Sequence, residues 1–465
     1  MARWFGTFDL ICVVLVAGCA THADRLAQVR EYYFAGNLGA AEALVDEGLR
    51  RGGPDREVWK LDRAILDLAA GRPKEAERRL REVRDAFDYL EQASAAEGVA
   101  AMLTDDTRLV YAGEDYEKIL VRVFLALANL FADGEDALAY ALQVNDCQER
   151  IIQSGADPAG QNPKLAYKRV ALGAYLYAAL REETHMNYDD AARGWARVVA
   201  WEPDFPYGRQ DVERAARGRH SAPGCGVLYV LALVGRGPYK IEVEEMPTTV
   251  SLLLADRILS AAAKHTVAPT VAPVKVPKVA AMHNEIRNVD VLVDGRAAGS
   301  TATITDVTRI AIQQHEAVYP QIVARAVARR ALKKGVFYAG KEMLGVSNHS
   351  LVNLGMDVAG IVWEATESAD TRCWGLLPDR IQVLRLELPA GRHRIGLAPA
   401  GRYGRLGRHA SAEVTIDDGR NTYLLAHFPV DRLVGRILVS GQPEEVPTVR
   451  ASASAPEAHS PPPRQ

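Results

Sequence analysis

The spacing of apolar residues changes once along the chain, and that change limits the folds open to it. Residues 24–205 are rich in Ala, Leu, Glu and Arg, with apolar side chains recurring near every 3.6 residues, the mark of helices that each bury one stripe. From "GVLYVLALVGRGPYKIEVEEMP" (226–247) onward, β-branched and aromatic runs alternate between Gly- and Pro-marked turns, which is strand patterning. A helical half followed by strands framing helices predicts an α+β, multidomain architecture. With 465 residues, 48% of them hydrophobic, the chain can build about two or three domains with real cores.

Within the helical half, "GNLGAAE" (36–42) and "GRPKEAE" (71–77) recur at an offset of 35. Each has a glycine, Gly36 or Gly71, where the chain turns between helices, and five residues on an alanine, Ala41 or Ala76, where backbones press together. The same turn-to-alanine spacing returns at Ala132 to Ala137, and "MNYDDAARGWARVVAWEPDFP" places Ala191 and Trp195 at packing positions. These units resemble degenerate tetratricopeptide repeats, whose period is about 34 residues. The resemblance implies stacked helices with a groove for peptides or partner proteins; a plain helical bundle is the alternative.

The N-terminus reads as Arg3, then the apolar run Leu10 to Ala17, then small residues before Cys19. That run is too short to span a bilayer, which needs roughly 20 residues. The tetrapeptide Val16-Ala17-Gly18-Cys19 resembles the lipobox of bacterial lipoproteins. The resemblance implies cleavage before Cys19, acylation of its thiol and new amino group, and, with Ala20 following, an outer-membrane address on the periplasmic face. Several acyl chains make a stable anchor where one is marginal. The five cysteines, Cys12, Cys19, Cys147, Cys225 and Cys373, show no CxxC pair or metal-ligand spacing.

The expected divisions are a signal peptide at 1–18, a lipidated tether at 19–24, helical repeats at 25–205, a strand-containing linker region at 206–285, an α+β domain at 286–445 and a disordered Ser/Ala/Pro tail at 446–465. A strand pair is expected across the Gly-Arg-Gly-Pro turn of 226–247. The four prolines of 264–286 restrict that stretch to an edge strand or crossover. Hairpins are expected at Asp294-Gly295, Ala390-Gly391 and Asp418-Gly419, and helices over 307–343 and 351–366.

Several stretches together resemble one family of uncharacterised tetratricopeptide-repeat lipoproteins of Gram-negative bacteria. They are "GEDYEKILVRVFLALANLFADGEDALAYALQVND" (113–146), "ALVGRGPYKIE" (232–242), "VARAVARRALKK" (323–334) and "ADTRCWGLLPDRIQVLRLELPAG" (369–391), in that order. The resemblance implies a lipid anchor, a helical-repeat half and a C-terminal mixed domain. It brings no established activity, and the family's usual Ser at the position of Cys373 argues against chemistry there.

Catalytic patterns are absent: "HEAVYP" (315–320) lacks the second His of a zinc protease, "AGKEMLG" (339–345) fails the phosphate-loop pattern, and no GxSxG elbow occurs. No metal or cofactor is expected, and with 56 basic against 59 acidic residues no global field draws nucleic acid. The densest polar group is Asp370, Arg372 and Trp374. Either Trp374 plugs the core while Asp370 and Arg372 bridge a helix end to a strand, or the three form a binding site with Trp374 stacked on a sugar. Arg325, Arg329 and Lys333 form a basic stripe on one helix face, either solvated or touching anionic headgroups or wall polymer. The expected function is a non-enzymatic adaptor, held to the membrane through lipid on Cys19 and binding envelope proteins through its repeats. A peptidoglycan-binding or wall-synthase-regulating module is the alternative.

Overall fold

The computed structural model describes residues 22–97, 109–156, 160–262, 272–343 and 368–441. Cys19, the expected helix over 351–366 and the expected tail lie outside them.

The helical half runs α1 (His22–Phe34), α2 (Leu38–Arg51), α3 (Arg56–Ala69), α4 (Pro73–Glu97), α5 (Asp115–Ala132), α6 (Ala137–Gln153), α7 (Leu172–Glu183), α8 (Tyr188–Trp201) and α9 (Gly208–Ala216). Each packs against the next in sequence. Gly36 and Gly71 take φ of 80° and 85° at the α1–α2 and α3–α4 turns, a left-handed conformation that glycine adopts without penalty. Ala41, Ala76, Ala137, Ala191 and Trp195 are all fully buried, as their packing positions require.

The helices form two layers. Helices α2, α4 and α8 bury one stripe each, through Ala41, Val45 and Gly48 on α2 and Ala191, Gly194, Trp195 and Val198 on α8. By contrast α3 is buried at every position from Glu57 to Ala69, and α5 at all but one from Tyr116 to Phe131. Helices enclosed on all sides lie inside the molecule, and here the chain's own second half encloses them.

That second half comprises β1 (Cys225–Val234), β2 (Tyr239–Glu245), α10 (Thr249–Ala262), β3 (Val274–Ala280), β4 (Asn288–Val293), β5 (Arg296–Ser300), β6 (Ala302–Asp306), α11 (Val307–Met343), β7 (Arg380–Pro389), β8 (Gly391–Gly401), β9 (Gly404–Arg405), β10 (Ala410–Ile416), β11 (Asn421–Phe428) and β12 (Leu438–Val439). One sheet has the order β12-β11-β1-β7-β6, a second has β10-β8-β4-β5, and β2 pairs with β3 alone. β1 runs parallel to β11 and antiparallel to β7. Its apolar run is buried on both faces: Val227, Tyr229, Leu231 and Leu233 enter the helical core, whereas Leu228, Val230, Ala232 and Val234 enter the core between the sheets. A third cluster joins α10, β3 and α11 through Ala255, Leu259, Val276, Val323 and Val327.

Three expectations are corrected. The stretch 206–285 is not a linker: it supplies β1, the central strand of the larger sheet. The strands flanking Gly-Arg-Gly-Pro do not pair, because β1 has two long-range partners and β2 takes β3. The turns at Ala390-Gly391 and Asp418-Gly419 are not hairpins; each carries the chain from one sheet to the other. The Asp294-Gly295 hairpin forms, with φ of 50° and 81°, and Pro277 sits in β3 at a sheet edge.

Because β1 belongs to both cores, the halves should unfold together. Leu231→Ala, toward the helices, and Leu228→Ala, toward the second sheet, should each cost about 2–5 kcal/mol. Each should also leave one coincident denaturant transition by far- and near-ultraviolet circular dichroism; separate transitions for the two halves would contradict a shared core.

Candidate functional site

The polar group Asp370-Arg372-Trp374 sits in the extended segment 368–379, which runs along the inner helices before β7. Arg372 is nearly enclosed. Its Nε and Nη2 donate to Asp370 Oδ1 and Oδ2 at 2.9 and 2.7 Å, and its Nη1 donates to the Leu109 carbonyl at 2.9 Å and Asp55 Oδ1 at 3.3 Å. The guanidinium also lies 5.3 Å from the Tyr111 ring centroid. Burial alone would raise the Asp370 carboxyl, but hydrogen bonds from Arg372 and the charge of Lys240 outweigh it and hold the group low.

Trp374 has 0% exposure and lies 5.2 Å from Phe124 of α5, centroid to centroid. An enclosed ring offers no face to a sugar, so the glycan-stacking reading of Trp374 is withdrawn: the residue plugs the core. Its backbone N–H donates to Glu117 Oε1 at 2.7 Å, and that of Leu376 donates to Asp62 Oδ1 at 2.9 Å. Arg30 Nε on α1 donates to the Gly375 carbonyl at 3.0 Å. Helices α1, α3 and α5 thus hold the segment by its backbone. Burial raises both carboxyls, Asp62 to about 7 and Glu117 with added repulsion from Glu114; Tyr111 and Tyr116 hydroxyls donate to Glu117. A Cβ on Gly375 would stand 2.3 Å from Leu26, so the backbone there approaches α1 as only glycine can. The Cys373 thiol is buried and pushed up by that burial, which makes it a poor nucleophile.

Beside this segment opens a cleft of about 420 Å³, within the size range of small-ligand sites. It is walled by α11, β2, β3, the stretch 109–114, the single turn 163–166 and residues 369–372. Asp370, Arg372, Arg325 and Arg329 all line it; Trp374 and Lys333 do not. The structure therefore brings the two sequence-flagged clusters together at four of six positions. Lys164, Lys240, Lys275 and Gln314 also line it and carried no local signal, since an isolated lysine in a strand reads as an ordinary exposed face; His315, the first residue of "HEAVYP", lines it too. Six cationic and three carboxylate side chains line the cleft. Lys240 pairs with Glu114, Lys164 with Asp115 at 2.8 Å, and Lys275 with Glu242 at 3.1 Å, whereas Arg325 has no ion pair among the described residues.

No protein-family model, curated protein or solved structure matches the chain. Among the described residues, no cluster of His, Cys, Asp and Glu could hold a metal ion, and no helix is long and apolar enough to cross a membrane.

Asp62 generates a pH prediction. Its folded-state pKa lies near 7, above the ordinary 3.8, so the native state binds the extra proton and its contribution falls as pH rises between those values. Asp62→Asn keeps an oxygen for the Leu376 N–H and cannot ionise. Relative to wild type, it should gain stability from pH 5 to pH 8, by about 2–4 kcal/mol, in urea titrations; a constant difference would contradict the assignment. Gly375→Ala should destabilise by about 1–3 kcal/mol through the Leu26 clash, and Leu26→Ala in the same chain should relieve part of that loss.

Proposed function

We propose that this chain is a non-catalytic, lipid-anchored adaptor on the periplasmic face of the outer membrane, whose helical half presents its outer layer to other envelope proteins. The lipobox-like Val16-Ala17-Gly18-Cys19 supports the anchor, and the consecutive helix packing with small residues at the turns supports a tetratricopeptide-like stack.

The observation that carries the reading is the occupation of the inner helical face. In an array of this kind that face would receive a partner peptide; here α1, α3 and α5 are covered by the chain's own segment 368–379 through Arg30, Asp62 and Glu117. The outer layer stays open. Tyr89 on α4 is 71% exposed and Leu142 on α6 is 37% exposed, and Arg84 Nη1 donates to Gln143 Oε1 at 3.3 Å between the same two helices. Exposed aromatic and aliphatic side chains on neighbouring helices suit a protein partner.

Two measurements test this. Mass spectrometry of the mature N-terminus should find an acylated Cys19, and an unmodified Cys19 would remove the anchor. A photo-crosslinking residue at Tyr89 or Leu142 in living cells should capture the same envelope protein from both positions, whereas no common adduct would contradict an outer-face partner.

A further inference from the structure

We infer that the cleft docks the phosphate headgroup of an anionic phospholipid, in the same membrane that holds the acylated Cys19. The inference rests on the proposed anchor for its geometry and on the cleft itself for its chemistry.

The geometry follows from covalent reach. His22 is three residues on from Cys19, and a fully extended chain spans at most about 3.3–3.6 Å per residue, so a lipid on Cys19 holds His22 within about 11 Å of its own attachment point. His22 is seated in the fold: it packs 4.5 Å from Trp59, centroid to centroid, and its Nδ1 lies 3.8 Å from Asp55 Oδ2. Asp55 in turn accepts from Arg372, which lines the cleft. Asp55 therefore lies beside both the anchored end of the chain and the cleft wall, which puts the cleft close to the membrane surface.

The chemistry of that wall suits the surface it meets. Cations outnumber carboxylates two to one, and Arg325 is exposed and without an ion pair among the described residues. Gln314 also lines the cleft; it is 3% exposed, and neither its amide nitrogen nor its amide oxygen has a hydrogen-bond partner. A buried amide left in this way is costly, and a headgroup with phosphate and hydroxyl oxygens supplies both missing partners. Leu109 and Val110, exposed by 38% and 49%, line the cleft as well. Aliphatic side chains on the same cleft as Arg325, which has no ion pair among the described residues, match the boundary between lipid headgroups and acyl chains.

The test uses the purified full chain carrying Cys19→Ser, which has no acyl group, and sedimentation with vesicles of phosphatidylcholine alone or with about 30% phosphatidylglycerol in about 0.1 M salt. Phosphatidylglycerol should increase vesicle binding by about tenfold, and Arg325→Glu should remove most of that gain at an unchanged melting temperature, since each surface charge is worth about fivefold. Leu109→Ser with Val110→Ser should weaken binding to both vesicles. Equal binding to the two compositions, or an Arg325→Glu chain that keeps the preference, would overturn the inference. The N-terminal apolar run is present in every variant, so it cancels in the comparison of Arg325→Glu with the parent chain, which is the comparison that decides. The acylation state of Cys19 is read separately, and either result can fail without the other.

Discussion

Two buried carboxylates, Asp62 on α3 and Glu117 on α5, accept the backbone N–H groups of Leu376 and Trp374. A carboxylate enclosed among inner helices is expensive unless its oxygens are satisfied, and an extended peptide in the interior is equally expensive unless its N–H groups are. Glu117 is satisfied on both oxygens by the Trp374 and Glu114 N–H groups and the Tyr111 and Tyr116 hydroxyls, whereas Asp62 accepts on Oδ1 alone and its bare Oδ2 accords with a carboxyl that burial raises to about 7. The arrangement sets the rest of the molecule: it brings Trp374 against Phe124, places Gly375 against Leu26, and fixes the point from which β7 enters the sheet beside β1. The contact continues beyond the segment, where Arg436 donates its N–H to the Ala69 carbonyl at the end of α3 and Tyr33 meets His427 of β11 at 3.1 Å.

Arg372 does for the near end of the segment what the carboxylates do for its centre. Its guanidinium ties Asp370 to the loops at Pro54, Asp55 and Leu109, and so joins three stretches that lie far apart in sequence. Removing one partner of such a buried pair strands the other, which costs more than the pair itself contributes. The cleft is a by-product of this clamp: its wall is rigid because Arg372 and Asp370 already satisfy each other, and its remaining capacity for a ligand lies with Arg325 and Gln314.

Much of the fold was legible because its signals are local. The 3.6-residue period of the first half, Gly36 and Gly71 at the helix turns, Asp294-Gly295 in a left-handed turn and the proline-marked edge strand each depend on neighbours a few residues away. What was not legible depends on distance along the chain. Ala390-Gly391 and Asp418-Gly419 state that the chain reverses, but not in which sheet the next strand lies, and both times it lies in the other one. The apolar run of β1 read as a strand paired with the next one across the Gly-Arg-Gly-Pro turn, and nothing in it named β7 and β11 as its neighbours. The pairing of Asp370 with Arg372 was visible from their spacing; that Arg325 would face the same cleft was not, since it arrives on a separate helix.

Amide hydrogen exchange along 370–378 tests the central claim most directly. If Asp62 and Glu117 bind this segment as part of the core, the amides of Trp374 and Leu376 open only with the whole molecule and exchange as slowly as that of Leu231 in β1. Exchange of Trp374 and Leu376 at the rate of exposed loop amides, with Leu231 still protected, would contradict it.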